Sequence, residues 1–409
     1  MKNVYEQPKT LLLLGGLAYL EPVIREAHAL GIRVITCDYL PDNPAHLLSD
    51  RYLNISIVDK EAVLEAAREA HIDGVMSFAC DPGVVTAAYV AEQMGLPFQC
   101  SYETACILQD KGRFREFLQQ HGFNCPHAKC YAENETPEPD IDFFSWPVIV
   151  KPVDSAGSKG CTRVDRPEGL PAAIAKALSE SQAKRYVIED FLTFKSAHTN
   201  SDMFTVGGTL TCVSYADHLF DRVANNPYAP IGTVWPSQMH TQYQDELTRE
   251  LQRLMSLLQV RTGIWNVETV VGAGGLPYIM EVSPRGGGNR TAEVEVMACC
   301  PTLIANEVRK AVNLPLLSME EMPIQGVWTT LTIYPQSGQT GFFKALKIRS
   351  DVKKRYIRQI SLSVKPGDCV LPFTGSNRSL GNLFLQCPTR QEFDSLLADI
   401  PAWLNVEVL

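Results

Sequence analysis

The stretch WNVETVVGAGGLPYIMEVSPRGGGNR, residues 265–290, contains two apolar runs that each end in a glutamate. The segment GAGG between them, residues 272–275, predicts a β-hairpin whose centre lies near Gly274. This spacing places Glu268 and Glu281 nearly opposite each other. Two facing carboxylates repel unless a cation lies between them, and Mg²⁺ prefers carboxylate oxygens together with phosphates. Because both glutamates have apolar neighbours, a metal site is favoured over a solvated pair.

The first hundred residues alternate between apolar strands and amphipathic helices, which predicts a parallel sheet with crossover helices. The expected strands cover residues 10–14, 33–37 and 74–78, and the expected helices cover residues 21–30, 60–70 and 84–94. Gly15 and Gly16 follow the first strand, but GxGxxG is incomplete, so a tight turn is favoured over a phosphate loop. Asp81 follows the third strand, where ligands of α/β domains bind, although a helix N-terminus explains it as well.

A second region begins near Pro147 with an apolar strand that ends at Lys151. A lysine there is costly unless its ammonium meets an anion or reaches the surface. The loop DSAGSKG follows at residues 154–160, and its small residues would let backbone N–H groups close around an anion. On these features alone, a phosphate loop and a hairpin without a ligand are equally supported. Lys111 could add a second positive charge, although a lone lysine on a helix is usually solvated.

The rest of the chain mixes hairpins and isolated helices, so we expect α+β character beyond the first hundred residues. Residues 101–121 predict two short helices, residues 125–146 a connection with little regular structure, and residues 292–312 a helix interrupted near Pro301. The last eighty residues predict a small, separate α+β domain. The predicted organisation is an α/β domain, a central domain of two subdomains and a C-terminal domain, at residues 1–100, 101–320 (125–192 and 193–320) and 321–409.

Composition and charge narrow the classes of function. The 409 residues carry a net charge of −9, which argues against a general nucleic-acid surface. Twelve cysteines are scattered without a CxxC pair, so buried reduced thiols are expected rather than a zinc site or disulfides. The apolar run at residues 11–14 is too short for a signal peptide or a membrane helix. We therefore expect a soluble cytoplasmic protein that binds neither nucleic acid nor membranes.

Taken in order, these motifs resemble those of the ATP-grasp superfamily, in particular its carboxylate–amine and amino-acid ligase branch. The resemblance covers residues 1 to about 310 and implies an ATP-grasp fold preceded by a Rossmann-like domain. Its six features are Lys111, VIVKP at 148–152, the Ser/Gly loop at 155–160, EDFL at 189–192, Glu268 and EVSPR at 281–285.

The resemblance implies that ATP and Mg²⁺ are the cofactors, with Mn²⁺ as an alternative metal. Lys111 and Lys151 would bind the phosphates. The other nucleotide contacts would be Ser155, Gly157, Ser158 and Gly160 in a flexible lid, and Glu189, Asp190, Phe191 and Leu192 around adenine. From spacing alone, the two acids of EDFL are better explained as a strand end that reaches water.

The metal and substrate groups implied by the resemblance lie on the hairpin and just after it. Glu268 and Glu281 would be metal ligands, and Ser283 stands where the family usually has an asparagine that binds a second metal. Arg285, the catalytic residue together with Lys151, would bind a phosphate or a carboxylate, because its fork suits either. The segment that follows it would lie beside the bound carboxylate, through Gly287, Gly288 and Asn289.

The implied reaction activates a carboxylate as an acyl phosphate, which an amine then attacks. The partners would be small-molecule carboxylates and amines, and a homodimer is common in such families. One alternative is a bicarbonate-activating carboxylase or a subunit similar to carbamoyl-phosphate synthase, although no biotin-carrier or amidotransferase motif occurs. The other is a nucleotide-binding protein without catalysis, against which the retention of Lys151, Glu268, Glu281 and Arg285 argues.

Overall fold

The computed structural model describes residues 8–155, 157–196, 198–222, 224, 226–335, 338–375 and 378–409. Its first strands are β1 (Thr10–Leu14), β2 (Arg33–Cys37), β3 (Arg51–Leu53) and β4 (Gly74–Ser77), and its first helices are α1 (Glu21–Ala29), α2 (Lys60–Glu69) and α3 (Val84–Met94). The strands form a parallel sheet in the order β3-β2-β1-β4. The α/β domain that the sequence predicts is therefore confirmed.

Two details of this sheet concern its carboxyl edge. Gly15 has φ +116° and donates its N–H to the carbonyl of Cys37 at 2.8 Å, which makes the expected tight turn. The sequence analysis missed β3, because its three residues are at most partly buried and form no apolar run. Its pairing with β2 places it at the sheet edge.

Two helices connect this domain to the next, α4 (Tyr102–Gln109) and α5 (Lys111–Gln120), as expected. The side chain of Asp110 accepts a hydrogen bond from the N–H of Arg113 and so caps α5. The cap fixes where α5 begins and places Lys111 at its first position.

A small antiparallel sheet follows, with β5 (Ala128–Ala132), β6 (Val148–Pro152), β7 (Thr162–Val164) and β8 (Arg185–Asp190) in the order β5-β8-β6-β7. Helix α6 (Leu170–Glu180) covers its apolar face. The prediction that residues 125–146 have little regular structure is wrong for β5. That strand is mixed in polarity, and its pairing with β8 supplies the ladder that its own sequence does not announce.

A large sheet forms the centre of the molecule. Its strands are β9 (Thr199–Val206), β10 (Thr209–Cys212), β11 (Asp217–Phe220), β12 (Pro230–Trp235), β13 (Gly263–Val271), β14 (Pro277–Ser283) and β15 (Val327–Ile333), accompanied by α7 (Thr241–Leu257), α8 (Thr291–Ala298) and α9 (Leu303–Ala311). The interruption of the last predicted helix near Pro301 is confirmed by the break between α8 and α9.

The C-terminal segment contains β16 (Gly341–Ile348), α10 (Ser350–Arg355), β17 (Ile357–Leu362), β18 (Cys369–Val370), β19 (Gly381–Cys387), α11 (Arg390–Ala398) and β20 (Leu404–Val408). Strands β19 and β17 continue the large sheet, whose order is β14-β13-β9-β11-β12-β15-β19-β17 with β10 beside β9. The remaining strands form a sheet of their own, β18-β16-β20. The expectation of a separate C-terminal unit needs correction here, because its strands hydrogen-bond to the central sheet; the domain limits themselves stay predictions.

The β13–β14 hairpin has the register that the sequence predicts. Glu268 pairs directly with Glu281, and Asn266 pairs with Ser283. The hairpin end meets the N-terminal domain, because the N–H of Ala79 donates to the carbonyl of Gly286 at 3.2 Å. The two facing carboxylates therefore lie on a sheet whose end adjoins the carboxyl edge of the parallel sheet.

The twelve cysteines were expected to be reduced, but Cys212 and Cys300 form a disulfide that joins the end of β10 to the turn between α8 and α9. The two residues are 88 positions apart, so no local spacing signals the pair. The other ten are free thiols, as predicted. None of the helices in the described ranges is long and apolar enough to span a membrane.

Candidate functional site

The facing carboxylates of the hairpin each lie beside a basic side chain. Lys111 Nζ is 3.3 Å from Glu281 Oε2, and His198 Nε2 is 3.3 Å from Glu268 Oε2. Burial alone would favour a neutral acid, but the hydrogen bond and charge of His198 outweigh it and lower the pKa of Glu268 to about 2. Burial likewise disfavours the Lys111 ammonium, yet the Glu281 carboxylate raises the pKa of Lys111. Both carboxylates therefore have a basic side chain beside them, and Glu268 is ionised at neutral pH.

Two histidines that the sequence did not mark as site residues, His198 and His218, lie beside Glu268. His198 and His218 have ring centroids 5.4 Å apart, and burial lowers the pKa of His218 to about 4, so its ring is neutral. His198 directly precedes the described start of β9, and Asn200 on that strand pairs with Glu268. Every second side chain of a strand lies on the same face, and His198 is two residues before Asn200, which pairs with a predicted metal ligand. This alternation is the signal that could have identified His198.

Lys151 and Glu189 form a buried ion pair with a third residue that the sequence did not mark. Glu189 is 1% exposed; its carboxylate lies 2.6 Å from Lys151 Nζ and 2.9 Å from Arg115 Nε. Burial would raise the pKa of Glu189, but the two cations outweigh it and lower the pKa to about 2. The carboxylate thus holds the two cations in place, and the predicted contact of this residue with adenine stays a prediction.

The hinge residues after Glu189 are also partly engaged. The N–H groups of Asp190 and Phe191 donate to the carbonyls of His127 and Pro147 at 3.0 and 2.9 Å. The Asp190 carboxylate accepts the N–H of Ser145 at 2.8 Å. Because these two N–H groups are already hydrogen-bonded, a backbone contact with adenine would have to come from the carbonyls of this segment or from Leu192.

The Ser/Gly loop lies between Lys111 and the segment around Tyr228. Lys111 Nζ donates to the carbonyl of Ser155 at 3.1 Å, and the hydroxyl of Ser158 donates to the carbonyl of Tyr228 at 3.1 Å. Gly157 and Gly160 have φ of +67° and +73°, the left-handed conformation that favours glycine. Ala156 lies outside the described residues. The structure thus brings the loop to one of the two predicted phosphate-binding lysines.

Arg285 makes a two-point contact with Asp81 from the carboxyl edge of the parallel sheet. Its Nε and Nη2 atoms each donate to the carboxylate at 2.7 Å, and Nη1 donates to the carbonyl of Gly286 at 2.9 Å. A guanidinium has five N–H donors, so two of them remain for a ligand. Asp81 therefore belongs to the cleft, one of the two explanations that the sequence allowed.

Ser283 is bonded to side chains of two other segments. Its hydroxyl donates to Asp81 Oδ1 at 3.1 Å and accepts from Gln109 Nε2 at 2.8 Å, and the residue is 0% exposed. Since these contacts orient the hydroxyl toward neighbouring side chains, Ser283 links the hairpin to Asp81 and α4. Its role as a metal ligand stays a prediction.

The glycine segment after Arg285 is held at one residue and open at the next. A Cβ on Gly287 would lie 2.8 Å from Asn266 Nδ2, whereas a Cβ on Gly288 would meet nothing within 4 Å. Asn289 has φ +52°, is 9% exposed, and its buried Oδ1 has no hydrogen-bond partner. Gly288 and Asn289 thus present room and an unsatisfied oxygen where the sequence predicts a substrate.

The described residues contain no cluster of three or more His, Cys, Asp or Glu side chains placed to hold a metal. The facing pair nevertheless fits Mg²⁺, which binds through one or two carboxylates and takes its other ligands from water and substrate phosphates. Glu268 and Glu281 supply carboxylate oxygen donors in direct register. This donor set suits one hard cation whose coordination a phosphate completes.

Together these features define a class: a multidomain protein in which a parallel sheet, a small antiparallel sheet and a large sheet bring together paired carboxylates and several cations. The chain belongs to the ATP-grasp superfamily. It matches the family of ATP-grasp domains over residues 108–289 and that of ATP-grasp N-terminal domains over residues 24–98.

Among curated proteins, the chain is 29% identical over 190 residues to a formate-dependent phosphoribosylglycinamide formyltransferase of Parasynechococcus marenigrum, covering 46% of this chain and 49% of the relative. The chain thus spans about half the length of the first curated relatives that it matches. Among solved structures, an L-amino acid ligase from Bacillus licheniformis has a TM-score of 0.80 at 19% identity and covers 99% of this chain and 100% of its own. A phosphoribosylglycinamide synthetase from Anaerococcus prevotii has a TM-score of 0.79 at 17% identity, over 98% and 100%. These likenesses show that the fold extends over nearly the whole chain.

Proposed function

We propose that this protein is an ATP- and Mg²⁺-dependent ligase that activates a carboxylate as an acyl phosphate and couples it to an amine, releasing ADP and phosphate. The observation that carries the proposal is the direct pairing of two carboxylates, Glu268 and Glu281, with Lys111 3.3 Å from the second. A cation and a phosphate would satisfy both charges at once. The names of the curated relative and of the amino-acid ligase support a small carboxylate as the substrate class.

In this proposal the lysines bind the nucleotide phosphates. Lys111 reaches both Glu281 and the carbonyl of Ser155, so it lies between the metal pair and the lid. Lys151 is held by Glu189, which keeps its ammonium oriented at a strand end. Bound ATP would supply the phosphoryl group and Mg²⁺ would neutralise its charge, which is the role of such cations in phosphoryl transfer. The Ser/Gly loop would exclude water by closing over the phosphates.

Arg285 would bind the reacting carboxylate through its two remaining donors. Asp81 fixes the guanidinium plane from one side, so the open donors have a defined direction. The open space at Gly288 would let the substrate approach the backbone without a side chain between them. This arrangement holds the acceptor carboxylate close to the metal pair, and positioning of this kind supplies much of the rate in phosphoryl transfer.

The test is an ADP-release assay with a panel of formate, amino acids and bicarbonate, each with and without amines. We expect release that needs both a carboxylate and an amine. Glu281→Gln should reduce turnover by about a hundredfold or more, because it removes one charge that stabilises the transition state. The exposed Glu320 offers a matched control, and Glu320→Gln should keep full activity.

Each other outcome selects a different function. Release that needs bicarbonate alone would favour the carboxylase alternative. ATP binding without release on any pair would favour a non-catalytic binding protein, and full turnover by Glu281→Gln would remove the metal assignment. Replacing Mg²⁺ by Mn²⁺ in the same assay tests the alternative metal. The homodimer and the cytoplasmic location stay predictions from the sequence.

A further inference from the structure

Asp202 and Glu295 are two fully buried carboxyl groups directly behind the glycine segment of the cleft. Asp202 lies on β9 and Glu295 on α8, and both are 0% exposed. A buried carboxyl group is disfavoured unless its neighbours compensate, because its desolvation destabilises the fold. The neighbours of these two groups therefore indicate what they do.

Asp202 is bonded to the segment that carries Arg285. Its Oδ2 accepts the N–H of Gly287 at 2.9 Å, and its Oδ1 accepts from Asn266 Nδ2 at 2.9 Å. A Cβ on Gly287 would lie 2.9 Å from the same Oδ1, closer than side-chain atoms pack. The glycine is thus what lets the backbone approach the carboxylate, two residues after Arg285.

Glu295 supports Asp202 from behind. It accepts the backbone N–H of Asp202 at 3.1 and 3.2 Å, the hydroxyl of Ser214 at 2.7 Å and the indole N–H of Trp235 at 3.1 Å. Within the described ranges, neither carboxyl group forms an ion pair with a basic side chain. The support therefore consists of neutral donors from three other elements of the fold.

The charge of the pair follows from its surroundings. The groups that face Asp202 are Glu295, Asn266, the N–H of Gly287 and, at longer range, Arg285; burial raises the pKa of Asp202 to about 6. Burial, followed by the charge of Asp202, raises the pKa of Glu295 above its usual value. At neutral pH, Asp202 is then ionised, while burial disfavours the charged form of Glu295.

We propose that Asp202 is a positioning residue of the ligase: its carboxylate fixes Gly287 and thereby aims Arg285 at the reacting carboxylate, with Glu295 supporting it from behind. The catalytic part of this inference rests on the function proposed above, whereas the contact to Gly287 does not. Asp202 touches neither the nucleotide site nor the paired carboxylates of the hairpin. Its loss should therefore affect the carboxylate substrate more than ATP.

The test compares Asp202→Asn with Glu295→Gln and with a matched control. Asparagine keeps the shape of Asp202, but its amide must direct N–H donors at either Gly287 or Asn266, which are donors themselves. The control is Asp217→Asn: Asp217 is a buried carboxylate of the same large sheet that accepts from the Ser237 hydroxyl and from the N–H of Gln238 at 2.9 Å, away from the glycine segment.

Two measurements are made on the full-length protein: hydrogen exchange of peptides covering residues 285–291, and the KM values for ATP and for the carboxylate found in the screen. For Asp202→Asn we expect exchange about tenfold to a hundredfold faster, the size expected for one hydrogen bond to a charged acceptor. The carboxylate KM should rise by a similar factor, and the ATP KM by less than about twofold. Glu295→Gln should change each quantity by less than about threefold, because the hydrogen bonds of the Glu295 side chain go to Asp202, Ser214 and Trp235 and not to residues 285–291.

The two proposals fail separately. If no carboxylate supports ADP release, the ligase proposal fails, but the exchange rates still report on the contact with Gly287. If Asp202→Asn and Asp217→Asn show the same exchange at residues 285–291, Asp202 does not position the segment. Equal losses in the ATP and carboxylate KM values for Asp202→Asn would show a general structural role and would overturn the inference.

Discussion

Two buried carboxyl sites in this protein are stabilised in opposite ways. Glu189, in the small sheet, lies between two cations, Arg115 at 2.9 Å and Lys151 at 2.6 Å, and its pKa is lowered to about 2. Asp202 and Glu295, between the large sheet and α8, contact neutral donors, and burial raises the pKa of each. All three groups are equally inaccessible, so burial alone does not set their charge.

The difference follows from what each site holds. Glu189 keeps two cations ordered beside the cleft, which suits a place where phosphates are proposed to bind. Asp202 holds a backbone segment and needs only an acceptor, so a cation there is not required. The same residue chemistry thus serves as a counter-ion in one region and as a backbone anchor in the other.

The largest effect on stability is expected when Glu189 loses one of its two cations. Arg115→Met leaves Glu189 with Lys151 alone and also removes the bond from Arg115 Nη1 to the carbonyl of Met280 at 2.9 Å. We expect a loss of about 3–5 kcal/mol in the free energy of unfolding, measured with urea, because a buried charge loses its partner. Arg113→Met on the same helix is the control: its pair with Glu103 is exposed, and its loss should cost about 1 kcal/mol or less. Equal losses in the two variants would show that the Glu189 site is not held by charge.

The second prediction concerns pH and separates the two sites by sign. Glu189 has a folded pKa below its unfolded value, so its stabilisation is present above about pH 4.5 and is lost as the pH falls toward about 2. Asp202 has a folded pKa of about 6, raised from 3.8, so stability decreases as the pH rises between these values.

Asp202→Asn removes this second titration. Unfolding by urea at pH 4 and pH 8 should therefore show the variant gaining on the wild type by about 2 kcal/mol at the higher pH, because each unit of pKa shift contributes 1.36 kcal/mol and the unfolded carboxyl group is already partly ionised at pH 4. The control Asp217→Asn should not show this gain. A constant difference between wild type and Asp202→Asn across this range would mean that Asp202 titrates normally.

The sequence predicted those parts of the fold and site that local spacing determines. The alternation of strands and helices defined the N-terminal domain, and the glycines at 272–275 fixed a register in which Glu268 pairs with Glu281. Lys111 is placed by the Asp110 cap next to it in sequence. In each case the relevant partners are close along the chain, so hydrophobic period or turn chemistry carries the information.

The remainder depends on contacts between distant segments. Asp81 and Arg285 are 204 positions apart, Cys212 and Cys300 are 88 apart, and no periodicity links such pairs. Ser283 was marked as a metal ligand because it stands where the family usually has an asparagine. Its contact with Asp81 forms only when two domains pack together, so the sequence does not show it. Strand β5 likewise depends on pairing with β8, across more than fifty residues. Sequence patterns identified the reactive side chains better than the groups that orient them.

The smallest expected effect tests whether neutral donors stabilise the Asp202–Glu295 pair. The hydroxyl of Ser214 donates to Glu295 at 2.7 Å, and the N–H of Asp202 and the indole N–H of Trp235 donate to the same carboxyl group. Ser214→Ala should lower the free energy of unfolding by about 1 kcal/mol, the usual size for one such bond, because the other donors stay in place. Ser256→Ala is the control, because Ser256 is exposed and its hydroxyl bonds within α7, to the carbonyl and the side chain of Gln252. This substitution should change the free energy of unfolding by less than about 0.5 kcal/mol. A loss for Ser214→Ala as large as that for Arg115→Met would show that Glu295 carries a charge, and the contrast between the two sites would then be one of partners and not of protonation.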